Sequence, residues 1–241
     1  MNKKLFLSEV RGGDYAHPGG KDAIDIVMSK FSKDPQKRIL DVGSGLGYTA
    51  KYIWEQGFGK VTGIDINSKC IEYANQNYPE VRFVHSDVDY CDSEFFPNSF
   101  DLVILFSSFY AFDDQKHSLK VLNKVAKPGA SLVIFEYLAL KGYNMLNPFA
   151  SDGTLFTPVY ADEIEKLLKG AGWQLDELVE LNEEYREWYR VLLEKIETKK
   201  DTLIEKYGKG LYNEMYDNFH ELNQALVKNI LGGCIVFAHK V

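Results

Sequence analysis

The chain has 241 residues, of which 45% are apolar and 26% are charged, as in an ordinary globular domain. Its net charge of −7 argues against nucleic acid as a partner, because phosphate contacts require a basic surface. Three widely separated cysteines argue against a disulfide framework and a metal site, and no apolar run approaches the ~20 residues of a membrane span, so we expect a soluble, cytoplasmic protein.

The first half of the chain alternates between strand and helix patterns. Residues 1–20 are glycine-rich and predicted to be irregular, and the spacing of Ile24, Val27, Met28 and Phe31 then predicts a helix. Downstream, the predicted strands are 38–42, 60–66, 81–85, 100–106 and 131–137, and the predicted helices are 47–56, 68–77 and 115–126. This alternation predicts a mostly parallel sheet with helices on both faces.

The last third is predicted to be mainly helical. An amphipathic helix at 162–171 and a strand at 173–181 precede a helical stretch that Gly232 and Gly233 are expected to end, before a closing strand at 234–238. We predict a single domain of four regions. These are an entry segment with its helix (1–35), a core (36–182), a helical insertion covering the substrate (183–231) and a closing strand (232–241).

A strand running into a glycine-rich turn, Ile39-Leu40-Asp41-Val42-Gly43-Ser44-Gly45-Leu46-Gly47, is the strongest functional motif. Glycines at such a turn tolerate positive φ and let a ligand approach the backbone. The sixth residue counted from Gly43 is Tyr48, so the spacing fails the dinucleotide pattern Gly-x-Gly-x-x-Gly. For Asp41, a hydrogen bond within the turn and a ligand contact are equally good interpretations.

Two further carboxylates follow the next two strands. Asp65 ends the second strand, where a carboxylate accepts hydrogen bonds from ribose hydroxyls. Asp87 comes just after the third strand and is placed to meet an adenine amino group. The end of a central strand at Phe106 and Ser107 is another position where open α/β sheets bind ligands.

In order and separation, these elements resemble those of class I S-adenosylmethionine (SAM)-dependent methyltransferases over about residues 36–140. The resemblance also includes Phe100-Asp101-Leu102-Val103 and Lys127-Pro128-Gly129. It implies a Rossmann-like, doubly wound, mostly parallel seven-stranded α/β sheet with an antiparallel last strand and a C-terminal helical insertion. SAM is then the cofactor and S-adenosylhomocysteine (SAH) its product. The expected cofactor contacts are Ala16, His17, Asp41, Gly43, Ser44, Gly45, Asp65, Ile66, Asp87, Val88, Phe106 and Ser107.

The segment Tyr15-Ala16-His17-Pro18-Gly19-Gly20 and the helical insertion are similar to those of small-molecule N-methyltransferases of the phosphoethanolamine and glycine/sarcosine type. This similarity implies that the segment folds over the cofactor, with Tyr15 near the transferred methyl. Phosphoethanolamine enzymes carry an Asp and a His after the fourth strand. Here the matching positions are Ser107 and Ala111, so this chain lacks that catalytic pair.

The sequence thus predicts an enzyme that methylates a small molecule, with an amine as the first expected acceptor. Tyr15 and His17 are candidate catalytic residues, His17 as a base, although a histidine in such a loop is also typical of an exposed position. Tyr15, Tyr110, Tyr137 and Tyr160 are candidate acceptor contacts. The alternatives are an O-methyltransferase of a small acid or phenol and a SAM-binding regulatory protein without turnover. We expect a monomer or homodimer without metal, nucleic-acid or membrane partners.

Overall fold

The structure is a computed structural model that describes residues 1–143 and 156–241. Residues 144–155, which the predicted core 36–182 includes, lie outside the described residues. The helices are α1 (Asn2–Arg11), α2 (Gly20–Met28), α3 (Tyr48–Glu55), α4 (Ser68–Asn77), α5 (Gln115–Val125), α6 (Ile164–Lys169), α7 (Asn182–Thr198), α8 (Lys200–Tyr207) and α9 (Lys209–Val227). The strands are β1 (Arg38–Val42), β2 (Lys60–Asp65), β3 (Arg82–His85), β4 (Phe100–Phe106), β5 (Ala126–Ala139), β6 (Val159–Tyr160), β7 (Trp173–Glu180) and β8 (Leu231–Lys240).

The strands form one mixed sheet in the order β3-β2-β1-β4-β5-β8-β7, and the short β6 pairs with the end of β5. Strands β1 to β5 run parallel to one another, whereas β8 is antiparallel to both β5 and β7. The predicted mostly parallel sheet with an antiparallel last strand is confirmed.

The sheet is covered on both faces, as continuous apolar strands require. Along β4, Leu102, Ile104 and Phe106 enter one core cluster, and Val103 and Leu105 enter the other. Helices α1 to α4 and α7 to α9 contribute buried side chains to the first cluster, and α5 and α6 contribute to the second. Because parallel strands end at one edge of the sheet, the residues that follow β1, β2, β3 and β4 lie close together.

Residues 2–11 form a helix, so the prediction that residues 1–20 are irregular is wrong for this part. Phe6 and Val10 stand one helical turn apart and are fully buried. Burying side chains of this kind stabilises a fold by roughly 1.5–3 kcal/mol each. The helix ends at Gly12, whose φ of 72° is the left-handed conformation that suits glycine at a helix C-terminus.

Gly232 and Gly233 lie inside β8 and do not end a helix, so that prediction is also wrong. The last helix ends at Val227. A Cβ on Gly232 would lie 1.9 Å from Oδ1 of Asn182, and a Cβ on Gly233 would lie 2.0 Å from the Tyr185 ring. The two glycines therefore allow α7 to pack directly against the backbone of the strand.

Within residues 1–143 and 156–241, no helix is both long enough and apolar enough to cross a lipid bilayer.

Candidate active site

Two adjoining cavities lie at the carboxyl edge of the parallel strands. The first, about 370 Å³, extends from the glycine-rich turn to Asp65 and Asp87, and we call it the turn cavity. The second, about 210 Å³, lies among α1, α7 and α9, and we call it the aromatic cavity. Both cavities are lined by Leu7, Ala16, Ser107 and Tyr110. The two spaces therefore meet at these four residues.

The glycine-rich turn has the backbone that its sequence predicts. Gly43, Gly45 and Gly47 all have positive φ, at 76°, 57° and 96°. The N–H groups of Gly43 and the next residue both donate to the Ile64 carbonyl at 2.8 Å, which fastens the turn to β2. A Cβ on Gly43 would lie 2.4 Å from Cβ of Ser108, so this position admits only glycine without rearrangement.

Three buried polar atoms around this turn have no hydrogen-bond partner among the described residues: Oδ2 of Asp41, Oγ of Ser44 and Oγ of Ser107. Burial raises the pKa of Asp41 to about 7, and the nearby carboxylate of Asp65 acts in the same direction. Ser107 lines the turn cavity, whereas Asp41, Ser44 and the predicted contact Gly45 do not line it and adjoin its lining residues Val42, Gly43 and Leu46 in the chain. Buried polar groups are normally paired, so unpaired ones at or next to a cavity wall indicate a polar ligand. The amino-acid end of SAM carries an ammonium and a carboxylate, which fit this donor and acceptor set.

Asp65 is the most heavily engaged of the predicted ligand residues. Its Oδ2 accepts hydrogen bonds from the Gly45 N–H at 2.8 Å and from Nζ of Lys4 at 3.2 Å, and its Oδ1 accepts from the Asn67 N–H at 2.8 Å. A carboxylate has about four acceptor positions. A ribose that offers two hydroxyls would therefore take the remaining position and the one that Lys4 occupies.

The far end of the turn cavity has an acidic side and an apolar side. The Asp87 side chain accepts from the N–H of Asp89 at 3.0 Å and also lines the cavity, as Val88 does. Ile66 lines the cavity too, and 67% of its surface is exposed. An apolar side chain exposed beside a carboxylate fits a flat heterocycle with an exocyclic amino group, such as adenine.

Ser107 has a strained backbone at the junction of the two cavities. Its φ of 50° is the left-handed conformation, which serine rarely adopts. Strain of this kind costs on the order of 1–3 kcal/mol and clusters at functional sites. The residue follows β4 directly, and its N–H donates to the Phe135 carbonyl at 2.8 Å. The backbone of Ser107 is thereby held where the two cavities meet.

His17, the predicted base, lies in the protein core and not at the wall of a cavity. Its side chain is fully buried and lines neither cavity. Nδ1 lies 2.9 Å from the Pro18 carbonyl oxygen, Nε2 lies 3.1 Å from Oγ1 of Thr49, and the ring packs on Phe106 at 4.7 Å. Burial lowers its pKa to about 3, so the ring is neutral and both nitrogens are engaged. The structure places His17 in the core behind the cavities, so its roles as a base and as a cofactor contact stay predictions.

The other predicted site residues divide between the cavities and the surrounding core. Tyr15 and Ala16 line the turn cavity, and Tyr137 lines the aromatic cavity. Phe106 is 4% exposed and lines neither cavity, so the structure does not bring it to the site and its cofactor contact stays a prediction. Tyr160 also lines neither cavity; its ring packs edge-on against Tyr143, and its acceptor contact likewise stays a prediction.

The aromatic cavity is lined by two basic residues, Lys3 and Arg11, and by several tyrosines. The Tyr137 and Tyr189 hydroxyls form a short hydrogen bond, and the Tyr110 ring packs edge-on against the Tyr137 ring at 5.8 Å. Arg11, the last residue of α1, reaches the same wall and donates from Nη1 to the Tyr15 carbonyl at 2.9 Å. No Asp or Glu is among the described residues that line this cavity.

Glu136 is a buried carboxyl next to this wall that sequence reasoning did not single out. Its side chain accepts from the N–H of Tyr110 at 3.1 Å and from its own neighbour Tyr137 at 2.9 Å. Burial raises its pKa to about 8, and these two backbone donors reduce the shift. Glu136 thus holds two cavity-lining tyrosines in place through their backbone.

The N-terminal helix supplies further lining residues that were not predicted. Lys4 and Leu7 line the turn cavity, and Leu7 and Arg11 line the aromatic cavity. The available signal was periodicity: Leu7 and Arg11 stand one turn apart, next to the buried pair Phe6 and Val10. The glycines that follow obscured this short amphipathic pattern.

Comparisons with known proteins agree with this geometry. A family model described as a methyltransferase domain matches residues 40–134. A phosphoethanolamine N-methyltransferase of Plasmodium falciparum is 31% identical over 147 residues, which are 57% of this chain and 53% of that protein. An O-methyltransferase of Penicillium expansum is 25% identical over 245 residues, which are 92% of this chain and 86% of that protein.

Among solved structures, the fold is similar to a phosphoethanolamine N-methyltransferase of Haemonchus contortus, solved with phosphomonomethylethanolamine and SAH. The TM-score is 0.83 at 21% identity, with 98% of this chain and 56% of that chain covered. The chain thus spans about half the length of this protein and of its Plasmodium relative. The predicted fold is confirmed. The chain therefore contains a segment, residues 40–134, that matches a methyltransferase-domain model, within a fold similar to that of solved methyltransferases.

Proposed function

We propose that the protein transfers a methyl group from SAM to a small molecule held in the aromatic cavity. The observation that carries this proposal is the junction at Leu7, Ala16, Ser107 and Tyr110, which both cavities share. One space offers the groups that an adenosyl amino acid requires, and the other is mainly apolar. A donor and an acceptor bound on the two sides would meet at the junction.

The residues of the turn cavity account for each part of the cofactor. Asp65 would bind the ribose, and Asp87 with Ile66 would bind the adenine. The unpaired atoms of Asp41, Ser44 and Ser107 would bind the amino-acid end. When bound, SAM supplies a methyl group on a positively charged sulfur, which is already activated for transfer. The protein then has to align the acceptor and exclude water.

For the acceptor atom, we propose an amine nitrogen. The tyrosine hydroxyls of the aromatic cavity can accept hydrogen bonds from an amine. The described wall has no carboxylate to hold an ammonium and His17 lines neither cavity, so the amine would bind neutral after losing its proton to solvent. A second candidate is the oxygen of a phenol or small acid, which the cation of Arg11 in the same wall favours.

The test is methyl transfer from isotopically labelled SAM to sets of acceptors that share one carbon skeleton and differ only in carrying an amine, a phenol or an acid. Mass spectrometry of the product identifies the methylated atom. We expect labelled N-methyl product, and we expect Tyr15→Phe to lower kcat more than it raises KM. If SAH binds but no acceptor class is methylated, the proposal fails and a regulatory SAM-binding protein is favoured.

A further inference from the structure

We infer that the acceptor carries a carboxylate on an apolar body, and that Arg11 binds this carboxylate. The inference rests on the proposed methyl transfer, since it concerns the acceptor of the same site. It applies whichever atom of the acceptor receives the methyl group.

The position of Arg11 follows from the helix to which it belongs. Lys3, Leu7 and Arg11 are four residues apart along α1, so they share one face, and all three line the aromatic cavity. A single hydrogen bond, from Nη1 to the Tyr15 carbonyl at 2.9 Å, fixes the guanidinium. Arginine has five N–H donors in a planar fork. The remaining donors are available to a ligand in the cavity.

The charge of Arg11 has no counterpart in the part of the chain that the structure describes. No carboxylate forms an ion pair with it there, and its titratable neighbours are the neutral hydroxyls of Tyr189, Tyr137 and Tyr110. The side chain is partly buried in the cavity wall, and burial lowers the pKa of the guanidinium. A partly buried charge without a counterion is costly, and pairing it with an anion relieves that cost.

The hydrogen-bonded tyrosines beside Arg11, Tyr137 and Tyr189, offer a further hydrogen-bond donor to an anion. In the hydrogen bond between the Tyr137 and Tyr189 hydroxyls, only one of the two hydroxyl protons is used. The other hydroxyl proton is free to be donated to an anion in the cavity. A guanidinium fork together with one phenolic O–H matches the two oxygens of a carboxylate.

A carboxylate suits this wall better than a phosphate monoester. A phosphate dianion has three terminal oxygens and calls for more than one cation. Lys3, the other basic residue of the lining, forms an ion pair with Glu214 at 2.6 Å. Met215, Phe219 and Leu222 from α9 form an apolar part of the wall, next to the polar Asn218. These side chains fit an aromatic or branched aliphatic body.

The test measures binding calorimetrically to the full chain saturated with SAH, so it needs no turnover. The probes are matched sets on phenyl, indole and isobutyl skeletons, each as a carboxylate, a primary amide, an amine and a phosphate monoester. We expect one carboxylate to bind about 10–100-fold more tightly than its amide and amine. Equal or tighter binding of the amide or amine, tightest binding of the phosphate, or no carboxylate binding would each overturn the inference.

Substitutions test whether Arg11 causes the preference for a carboxylate. Arg11→Gln should abolish the preference for carboxylate over amide, whereas Arg190→Gln, at an exposed arginine of α7, should leave it unchanged. Affinity for SAH reports whether each variant is folded. If Arg11→Gln does not bind SAH, Arg11→Lys is measured in its place. We expect its preference for carboxylate over amide to be reduced, because a lysine lacks the planar fork of donors. An unchanged preference in the variant contradicts the inference.

The two proposals fail in different ways. Methyl transfer to acceptors without a carboxylate, at rates equal to those of the acids, contradicts the Arg11 inference and leaves the proposed function intact. Carboxylate binding without any methyl transfer contradicts the proposed function alone.

Discussion

Asp41 and Asp65 lie close together at the glycine-rich turn, but their environments differ. Asp65 accepts three hydrogen bonds, two of them from backbone N–H groups, whereas one oxygen of Asp41 has no partner in the described chain. The pKa of Asp41 is raised to about 7 by burial and by Asp65. The sequence-based interpretation of Asp41 as either a turn residue or a ligand residue stays open, since a buried unpaired oxygen suits a ligand.

Replacing Asp65 by Asn distinguishes a ligand role from a purely structural one. The amide cannot accept hydrogen bonds at both positions and carries no charge. If Asp65 binds the ribose, the affinity for SAH should fall about 10–100-fold, the loss expected for charged hydrogen bonds worth about 1.5–3 kcal/mol. Calorimetry measures the affinity for SAH, and Asp176→Asn, at a surface ion pair, is the control. A lower melting temperature with unchanged SAH affinity would show that Asp65 only fastens the turn.

Glu136 should make stability depend on pH. Its pKa is raised from 4.5 to about 8 in the folded protein by burial, so the folded state holds this proton more tightly than the unfolded state. The stabilisation is fully present below about pH 4.5 and is lost as the pH rises through about 8. The free energy of unfolding should therefore fall by on the order of a few kcal/mol across this interval.

Glu136→Gln is the matching variant. It should flatten this pH dependence in urea titrations, while lowering stability at pH 5 because the amide nitrogen cannot accept from a backbone N–H. Asp41, with a pKa raised to about 7, should leave a smaller slope of the same sign. An identical pH profile for the variant and the parent would refute the assignment.

At the scale of elements, the contact between α7 and β8 depends on two glycines. Gly233→Ala would place a Cβ about 2.0 Å from the Tyr185 ring, which is itself fully buried. Overpacking of this kind typically costs 1–3 kcal/mol. Gly210→Ala is the matched control, because nothing lies within 4 Å of its Cβ and it is in α9.

We expect chemical denaturation to show a loss of stability for Gly233→Ala and a gain of about 0.5–1 kcal/mol for Gly210→Ala. Equal effects of the two substitutions would mean that α7 does not pack against the strand as described.

Periodicity predicted the parallel strands and their helices, since each strand is a buried apolar run and each helix has one apolar face. Periodicity failed where one local sequence pattern is compatible with two different structures. The glycines before Cys234 suggest a helix end, yet they permit a close contact with a helix 48 residues earlier in the chain. Helix α1 was missed because only Phe6 and Val10 mark its buried face and a glycine-rich stretch follows.

The candidate site was predictable only in part, for a similar reason. The turn, Asp65 and Asp87 follow strands in a fixed order, so spacing alone brings them together. Spacing does not show which side chains of remote helices face a cavity, and Arg11 and Tyr189 were not recognised as lining residues. His17 looked like a loop base because burial, which sets its pKa, is not visible in the sequence.

For the whole molecule, ligand binding should raise the melting temperature. At 100 times its dissociation constant, SAH should add about 2.7 kcal/mol to the free energy of unfolding. For a chain of this size that corresponds to roughly 5–10 °C. Differential scanning fluorimetry measures the shift, and NAD⁺ is the control ligand, since the glycine spacing does not suit a dinucleotide. A larger shift with NAD⁺ would contradict the assigned cofactor.

The walls of the two cavities come from different parts of the chain. Residues 40–134, which match the family model, include most of the turn cavity, but of the aromatic cavity they supply only Ser107 and Tyr110. If the proposed function holds, substitutions on α9, which lines the aromatic cavity and not the turn cavity, should alter the choice of acceptor more than the affinity for the donor. The relatives include proteins named as an N-methyltransferase and as an O-methyltransferase, and such a division of the walls would let the acceptor differ while the donor stays the same.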